Sequence, residues 1–276
     1  MARFGLGLFI AALMASGGTA PAAAPEKIEP INYLPSLSGD YFPLASVATG
    51  ATYHIYIRHP QGYADQPTRR YPVVYLLDGD SLFPLLAAQH LFLTIDDKLP
   101  EAIVVGIAYG SFSPAINRRE TDYGSGAAAF QKFLSTELMP RVEATARADP
   151  ARRILVGQSF GGSFVLYAAL TEPDLFWARI ASNPSFRLHG PKLLEAGERA
   201  SRPDLRLFVV SGTENAADAR QKSIAWVDSW ISRKPAWAVE RIDVAGGTHA
   251  ADIGNAYRAA LRRLFDWSPS PSPDPH

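Results

Sequence analysis

The sequence has 276 residues, a length within the range of one large α/β domain and sufficient to bury a full core. Its 27 basic and 27 acidic side chains cancel, so it lacks the net positive field that gathers phosphate backbones or anionic lipid, and nucleic acid is excluded as its main partner. With 47% hydrophobic and 20% charged residues it reads as neither disordered nor a membrane bundle, and the absence of cysteine excludes disulfides, a thiol nucleophile and thiolate zinc ligands.

Residues 1–24 stand apart. Arg3 supplies a positive start, Phe4 to Met14 form a short apolar run, and small residues follow to Ala24. This pattern predicts an export signal, the run being too short for a bilayer that needs about 20 apolar residues. No later segment is apolar enough to span, so no stable membrane insertion is expected. Export without cysteine points to a bacterial periplasm or the medium, leaving residues 25–267 as a single domain.

Ala51 to Arg58 (ATYHIYIR) alternates and predicts an antiparallel strand at the sheet edge. Tyr71 to Leu77 (YPVVYLL) and Ala102 to Ala108 (AIVVGIA) are continuous apolar runs, as expected of strands buried on both faces. Arg153 to Val156, Leu205 to Val210 and Ala238 to Val244 complete the strands, and helical spacing covers Leu82 to Ile95, Gly126 to Ala146, Phe160 to Thr171, Asp218 to Ser232 and Asn255 to Phe265. Strands alternating with helices predict an α/β fold with a mostly parallel sheet covered on both faces. The proline-rich tail 268–276 is expected to be disordered.

The chemistry centres on RILVGQSFGG, Arg153 to Gly162, where an apolar strand runs into Gly157-Gln158-Ser159-Phe160-Gly161 and a helix begins at once. The bare G-x-S-x-G pattern recurs by chance in roughly one chain in ten of this length. Its strand-and-helix setting makes it a nucleophile elbow with Ser159 as nucleophile. A serine hydroxyl needs a base to take its proton. His54 and His59 belong to the edge strand, His90 to a helix and His276 to the tail, and His189 lies outside the required loop. Only His249, between the last strand and the last helix, has the order Ser, acid, His.

An acid to orient His249 should follow Leu205 to Val210. Glu214 is the first candidate and Asp218 the second, though both also suit a solvated helix start. The oxyanion needs two backbone donors, Phe160 N–H after the nucleophile and a second from Gly79 or Asp80. Asp78 and Asp80 without a nearby histidine make a poor metal pair. Arg118 and Arg119, on a loop at the carboxyl edge, could meet an anionic substrate or simply be solvated.

YPVVYLLDGDSLF at Tyr71 to Phe83, NRRETDY at Asn117 to Tyr123, GQSFGG at Gly157 to Gly162 and GGTHAADIGNAYRAALRRLF at Gly246 to Phe265 together resemble the Putative esterase family of α/β hydrolases. That family includes siderophore (enterobactin-type) esterases, feruloyl esterases, S-formylglutathione hydrolases and mycolyltransferases. The Leu-Asp-Gly-Asp run with the Arg-containing loop is most similar to the periplasmic siderophore esterases, and NPSF at Asn183 to Phe186 is similar to a Ser-Pro-Ser stretch of the group. The resemblance implies an α/β-hydrolase fold, Asp80 N–H as second oxyanion donor, Ser159 and His249 as nucleophile and base, a small-molecule ester substrate, and no metal or organic cofactor. The sequence departs from the family at Asn215, where many relatives place their acid, so either Glu214 serves or the enzyme works as a Ser-His dyad. An acyltransferase to an envelope sugar or lipid, and a non-catalytic periplasmic binding protein, are the alternative readings. Oligomeric state is not legible.

Overall fold

The computed structural model describes residues 29–31, 34–190, 197, 200–233 and 237–265; the expected export signal and tail lie outside them. Nine strands form one sheet: β1 (Glu29–Ile31), β2 (Gly39–Ala45), β3 (Thr52–Arg58), β4 (Tyr71–Leu76), β5 (Ile103–Ala108), β6 (Ala148–Gln158), β7 (Ala178–Ser182), β8 (Arg206–Gly212) and β9 (Ala238–Val244). Their spatial order is β1-β2-β3-β5-β4-β6-β7-β8-β9. The first three strands are antiparallel to their neighbours, and every pairing from β5 to β9 is parallel. This is an α/β-hydrolase fold with an antiparallel amino-terminal edge.

All positions of β4 and β5 are buried, because helices cover both faces of the sheet. One face packs on α1 (Gly79–Ile95) and α7 (Ile253–Leu264). The other packs on α3 (Ala127–Phe133), α4 (Met139–Thr145), α5 (Phe160–Thr171) and α6 (Ala217–Ser232), while the short α2 (Arg119–Asp122) precedes α3. Strand period two divides the core accordingly. Val74, Val104, Val156, Ile180 and Val210 meet Leu86, Tyr257 and Leu261, whereas their neighbours Tyr75, Val105, Leu155, Ala181 and Val209 meet Phe130, Phe164 and Trp226.

Three strands, β1, β2 and β7, were not anticipated. β2 contains Pro43, which cannot donate to a ladder; β1 pairs only with Gly39 to Tyr41, so Pro43 sits where one side is open. β7 (ARIAS) is short and carries Arg179, a charged residue that is nevertheless fully buried. Its guanidinium donates to the carbonyls of Phe176 (2.9 Å), Glu172 (3.0 Å) and Pro173 (2.5 Å), and burial pushes its pKa down to about 9.

Because β4 to β9 run parallel, their carboxyl ends share one edge, the place where such sheets bind ligands. The loops after β4, β5, β6, β8 and β9 therefore converge there.

Candidate active site

Ser159 lies between β6 and α5 with φ 58° and ψ −115°, a conformation rare for a residue with a side chain. The surroundings hold it there. Its N–H donates to Ser182 O at 3.0 Å, and its carbonyl accepts from Ser163 N and Ser185 N, each at 3.0 Å. The turn tolerates no Cβ at Gly157, where one would stand 2.4 Å from the carbonyl carbon and oxygen of Gly161. At Gly162 it would meet the backbone of Ser182 and Pro184 at 3.0 Å.

His249 stands on the loop between β9 and α7. Its Nε2 is 3.0 Å from Ser159 Oγ, within proton-transfer distance across 90 residues of sequence. The carbonyl end of this loop is pinned: Gln158 Nε2 donates to His249 O (2.6 Å), and Asn183 Nδ2 donates to Thr248 O (3.1 Å) and His249 O (3.0 Å). Gly212, at the end of β8, has no room for a side chain, since a Cβ would lie 2.2 Å from Gly247 O. The end of β8 and the histidine loop are therefore in direct contact.

On the far side of the ring, Nδ1 is 3.2 Å from Asn215 Oδ1. Glu214, the expected acid, does not occupy this place. It is exposed, its N–H is tied to Gly247 O at 2.8 Å, and the turn closed by Asn215 N–H on Gly212 O directs the following residue, Asn215, inward. Asp218 is also exposed and pairs with Lys222 at 3.3 Å on α6. Sequence reasoning treated position 215 as a departure rather than a partner. Asn183 enters the sequence argument only as the start of NPSF; its contacts with Asn215 and the histidine loop come from chain-distant partners that no local pattern shows.

The orientation of Asn215 follows from its neighbours. Oδ1 accepts from Ala216 N–H at 2.9 Å, and Nδ2 donates to Asn183 Oδ1 at 3.0 Å. An acceptor facing Nδ1 favours the neutral tautomer that carries its proton there and offers a bare Nε2 to the serine hydroxyl.

The N–H groups of Asp80 and Phe160 lie in the first turns of α1 and α5 and meet no acceptor among the described residues. β4 and β6 are neighbours, Leu77 N donating to Val156 O at 3.0 Å, so the two helix starts open side by side. The start of α5, with Ser159 as its N-cap, places a positive helix end at the serine. The Asp80 carboxylate accepts from Tyr109 N and Gly110 N, each at 2.8 Å, and ties the start of α1 to the loop after β5.

The two arginines read as substrate contacts are committed within the protein. Arg119 Nε and Nη2 each donate to an Asp78 carboxylate oxygen at 2.9 Å, a bidentate pair whose guanidinium also lies 5.1 Å from the centre of the Phe160 ring. Arg118 reaches Asp122 (3.6 Å) and Thr49 O (3.4 Å). Asp78 is left-handed (φ 52°), and its N–H donates to the hydroxyl of the fully buried Tyr123 at 3.1 Å. NRRETDY thus braces the loop that carries Asp80.

A cleft of about 260 Å³ opens beside the elbow, bounded by Asp78, Asp80, Phe112, Asn117, Arg119 and Gln158. A larger one, about 600 Å³, lies around Arg58, His59 and Tyr63. Arg58 ends β3 opposite Val104 near the start of β5, so that cavity is at the other end of the sheet from the serine. Geometry, not size, marks the site. Among the described residues no three His, Asp or Glu side chains converge to hold a metal, and no helix is long and apolar enough to cross a membrane.

A family model described as Putative esterase matches residues 46–250. The ferri-bacillibactin esterase BesA of Bacillus subtilis (strain 168) is 32% identical over 170 residues, 52% of this chain and 57% of BesA. An apo-salmochelin esterase of Escherichia coli O6:H1 is 29% identical over 188 residues, 60% of this chain and 58% of the relative. The matches thus span somewhat over half the length of these curated relatives. The structure of an IroE-like serine hydrolase from Shewanella oneidensis superposes with a TM-score of 0.72 at 25% identity, covering 82% of this chain and 79% of that one.

Proposed function

This chain belongs to the Putative esterase family, and on that premise we propose that it is a serine hydrolase that cleaves a carboxylic ester of the siderophore type through an acyl-enzyme. The observation that carries the reading is the 3.0 Å contact between His249 Nε2 and the hydroxyl of an elbow serine. Ser159 Oγ attacks the ester carbonyl while Nε2 takes its proton. The carbonyl oxygen becomes an oxyanion that the N–H groups of Phe160 and Asp80 stabilise, a contribution worth about 3 kcal/mol per donor in comparable sites. Collapse expels the alcohol, which receives the proton from Nε2. Water, activated by the same imidazole, then attacks the acyl-enzyme and releases the acid and the free serine.

The choice of a siderophore-type ester is supported by the names of the curated relatives, a ferri-bacillibactin and an apo-salmochelin esterase. The deciding experiment is a hydrolysis panel of short p-nitrophenyl esters, feruloyl esters and catecholate trilactones. Ser159→Ala is expected to lower kcat on the preferred ester by at least about 10³-fold and to abolish fluorophosphonate labelling. Hydrolysis persisting at the wild-type rate in that variant removes the mechanism; a preference for simple or feruloyl esters over trilactones removes the substrate assignment and leaves the mechanism standing.

A further inference from the structure

Position 215 carries an amide where a carboxylate would stabilise the imidazolium, and the reason lies one residue pair deeper. Asn183 follows β7 with φ 42°, in the left-handed region that asparagine tolerates. It is 1% exposed, and all its polar capacity is used. Oδ1 accepts from Gly212 N–H (3.0 Å) and from Asn215 Nδ2 (3.0 Å), while Nδ2 donates to the carbonyls of Thr248 and His249. An amide flip would aim its NH₂ at the Gly212 N–H and its oxygen at two carbonyls, so its orientation is fixed.

We infer that Asn183 and Asn215 are a coupled amide pair that positions His249 in place of a carboxylate, with Asn183 dictating that residue 215 be an amide. The inference rests on the catalytic reading of Ser159 and His249. An aspartate at 215 would set its second oxygen about 3.0 Å from Asn183 Oδ1 with no proton between them, taking over the position of the present Nδ2. The amide instead completes a chain in which each donor meets an acceptor: Gly212 N–H and Asn215 Nδ2–H to Asn183, Ala216 N–H and His249 Nδ1–H to Asn215. The same Asn183 side chain holds the carbonyls of the histidine loop, so the pair fixes both the ring's tautomer and its backbone. The surrounding charged groups do not substitute for it. Asp78 holds Arg119, Asp80 accepts two backbone N–H groups, Glu214 is exposed, and Asp252 lies buried near Gly247 with Asn255 as its partner. Both asparagines are positioning residues, since neither faces the serine.

The wild-type protein provides the first test. Nitrogen NMR of protein labelled in its histidine rings, with the His249 signals assigned by their loss in His249→Gln, is expected to show the neutral ring protonated on Nδ1. A neutral ring protonated mainly on Nε2 overturns the inference. The second test is a cycle of Asn215→Asp, Asn183→Ser and the double variant, read by kcat, KM and the pH–rate profile on a p-nitrophenyl ester. With Asn183 present, the aspartate is expected to lower kcat by about tenfold with KM unchanged. In the Asn183→Ser background, a hydroxyl can donate to the new carboxylate. There the same substitution is expected to raise kcat and move the acidic limb of the profile to higher pH, even though loss of the carbonyl tethers lowers activity overall. A carboxylate that raises kcat by the same factor in both backgrounds overturns the coupling, and Asn215→Ala with undiminished kcat overturns the role of the amide. Should a variant fail to fold, the wild-type tautomer still decides. Failure of the catalytic reading looks different: hydrolysis then survives Ser159→Ala.

Discussion

Arg119 offers the sharpest contrast between a residue that binds substrate and one that shapes the protein. In Arg119→Gln, two charge-assisted hydrogen bonds to Asp78 are lost. Charged hydrogen bonds contribute about 1.5–3 kcal/mol each, but the Arg119 side chain is 28% exposed against 13% for Asp78, so solvent recovers part of the loss. A net cost of about 2 kcal/mol is expected. It falls on a left-handed Asp78 whose conformation alone costs about 1–2 kcal/mol, two residues before the N–H of Asp80. Once unbraced, that donor leaves the oxyanion position, and kcat should fall about 30-fold while KM stays within a factor of two, the loss of one oxyanion donor setting the upper bound. The assay compares a neutral and a carboxylate-bearing p-nitrophenyl ester in steady state, with a thermal melt alongside. Equal kcat losses on both esters are expected, and Tyr123→Phe, which removes the acceptor for Asp78 N–H, should reproduce a smaller version. A KM rise confined to the anionic ester, with kcat on the neutral one unchanged, would refute the bracing argument and make Arg119 a substrate contact.

Two further outcomes follow from local geometry. Gly157→Ala places a methyl 2.4 Å from rigid backbone of Gly161 and should cost about 3 kcal/mol or more, seen as a lowered melting temperature with loss of fluorophosphonate labelling; a stable, fully labelled variant would mean the elbow is looser than described. His90, fully buried between Tyr257 Oη and Pro100 O, has its pKa pushed from 6.5 down to about 4, by burial first and then by the Arg58 charge. The unfolded chain then binds a proton that the native protein refuses. Stability due to this group is therefore complete above about pH 6.5 and is lost as pH falls toward 4, by on the order of 3 kcal/mol. Urea midpoints at pH 7, 5.5 and 4.5 should converge toward those of His90→Gln, and parallel curves for the two proteins would show that His90 is not the source of the acid sensitivity.

The fold was legible wherever burial imposes a pattern. Continuous runs such as YPVVYL and IVVGIA can hardly be anything but strands covered on both faces, and they fall at β4 and β5 with a difference of one residue at an end. β7 was illegible for the opposite reason. A buried arginine is ordinarily prohibitive, so ARIAS does not read as interior; it becomes so only because three carbonyls at the turn before the strand receive the Arg179 guanidinium. No local pattern contains that compensation.

The site divides along the same line. The Ser159 elbow is written into ten consecutive residues, and chain order singled out His249, because these features depend on neighbours along the chain. Partners that fold in from elsewhere were invisible: Asp78 meets Arg119 across 41 residues, and Asn183 meets Asn215 across 32. Glu214 and Asn215 are adjacent, and composition favours the acid. What selects the amide is the Gly212 N–H, which orients Asn183 Oδ1 and thereby demands a donor rather than a second acceptor from residue 215. The requirement is electrostatic and local, yet it is transmitted from the end of β7 to the end of β8, ends that adjoin because the two strands pair in parallel. A carboxylate at 215 is thus unfavourable here for the same reason that the histidine loop is well held: one asparagine, fully bonded, serves both.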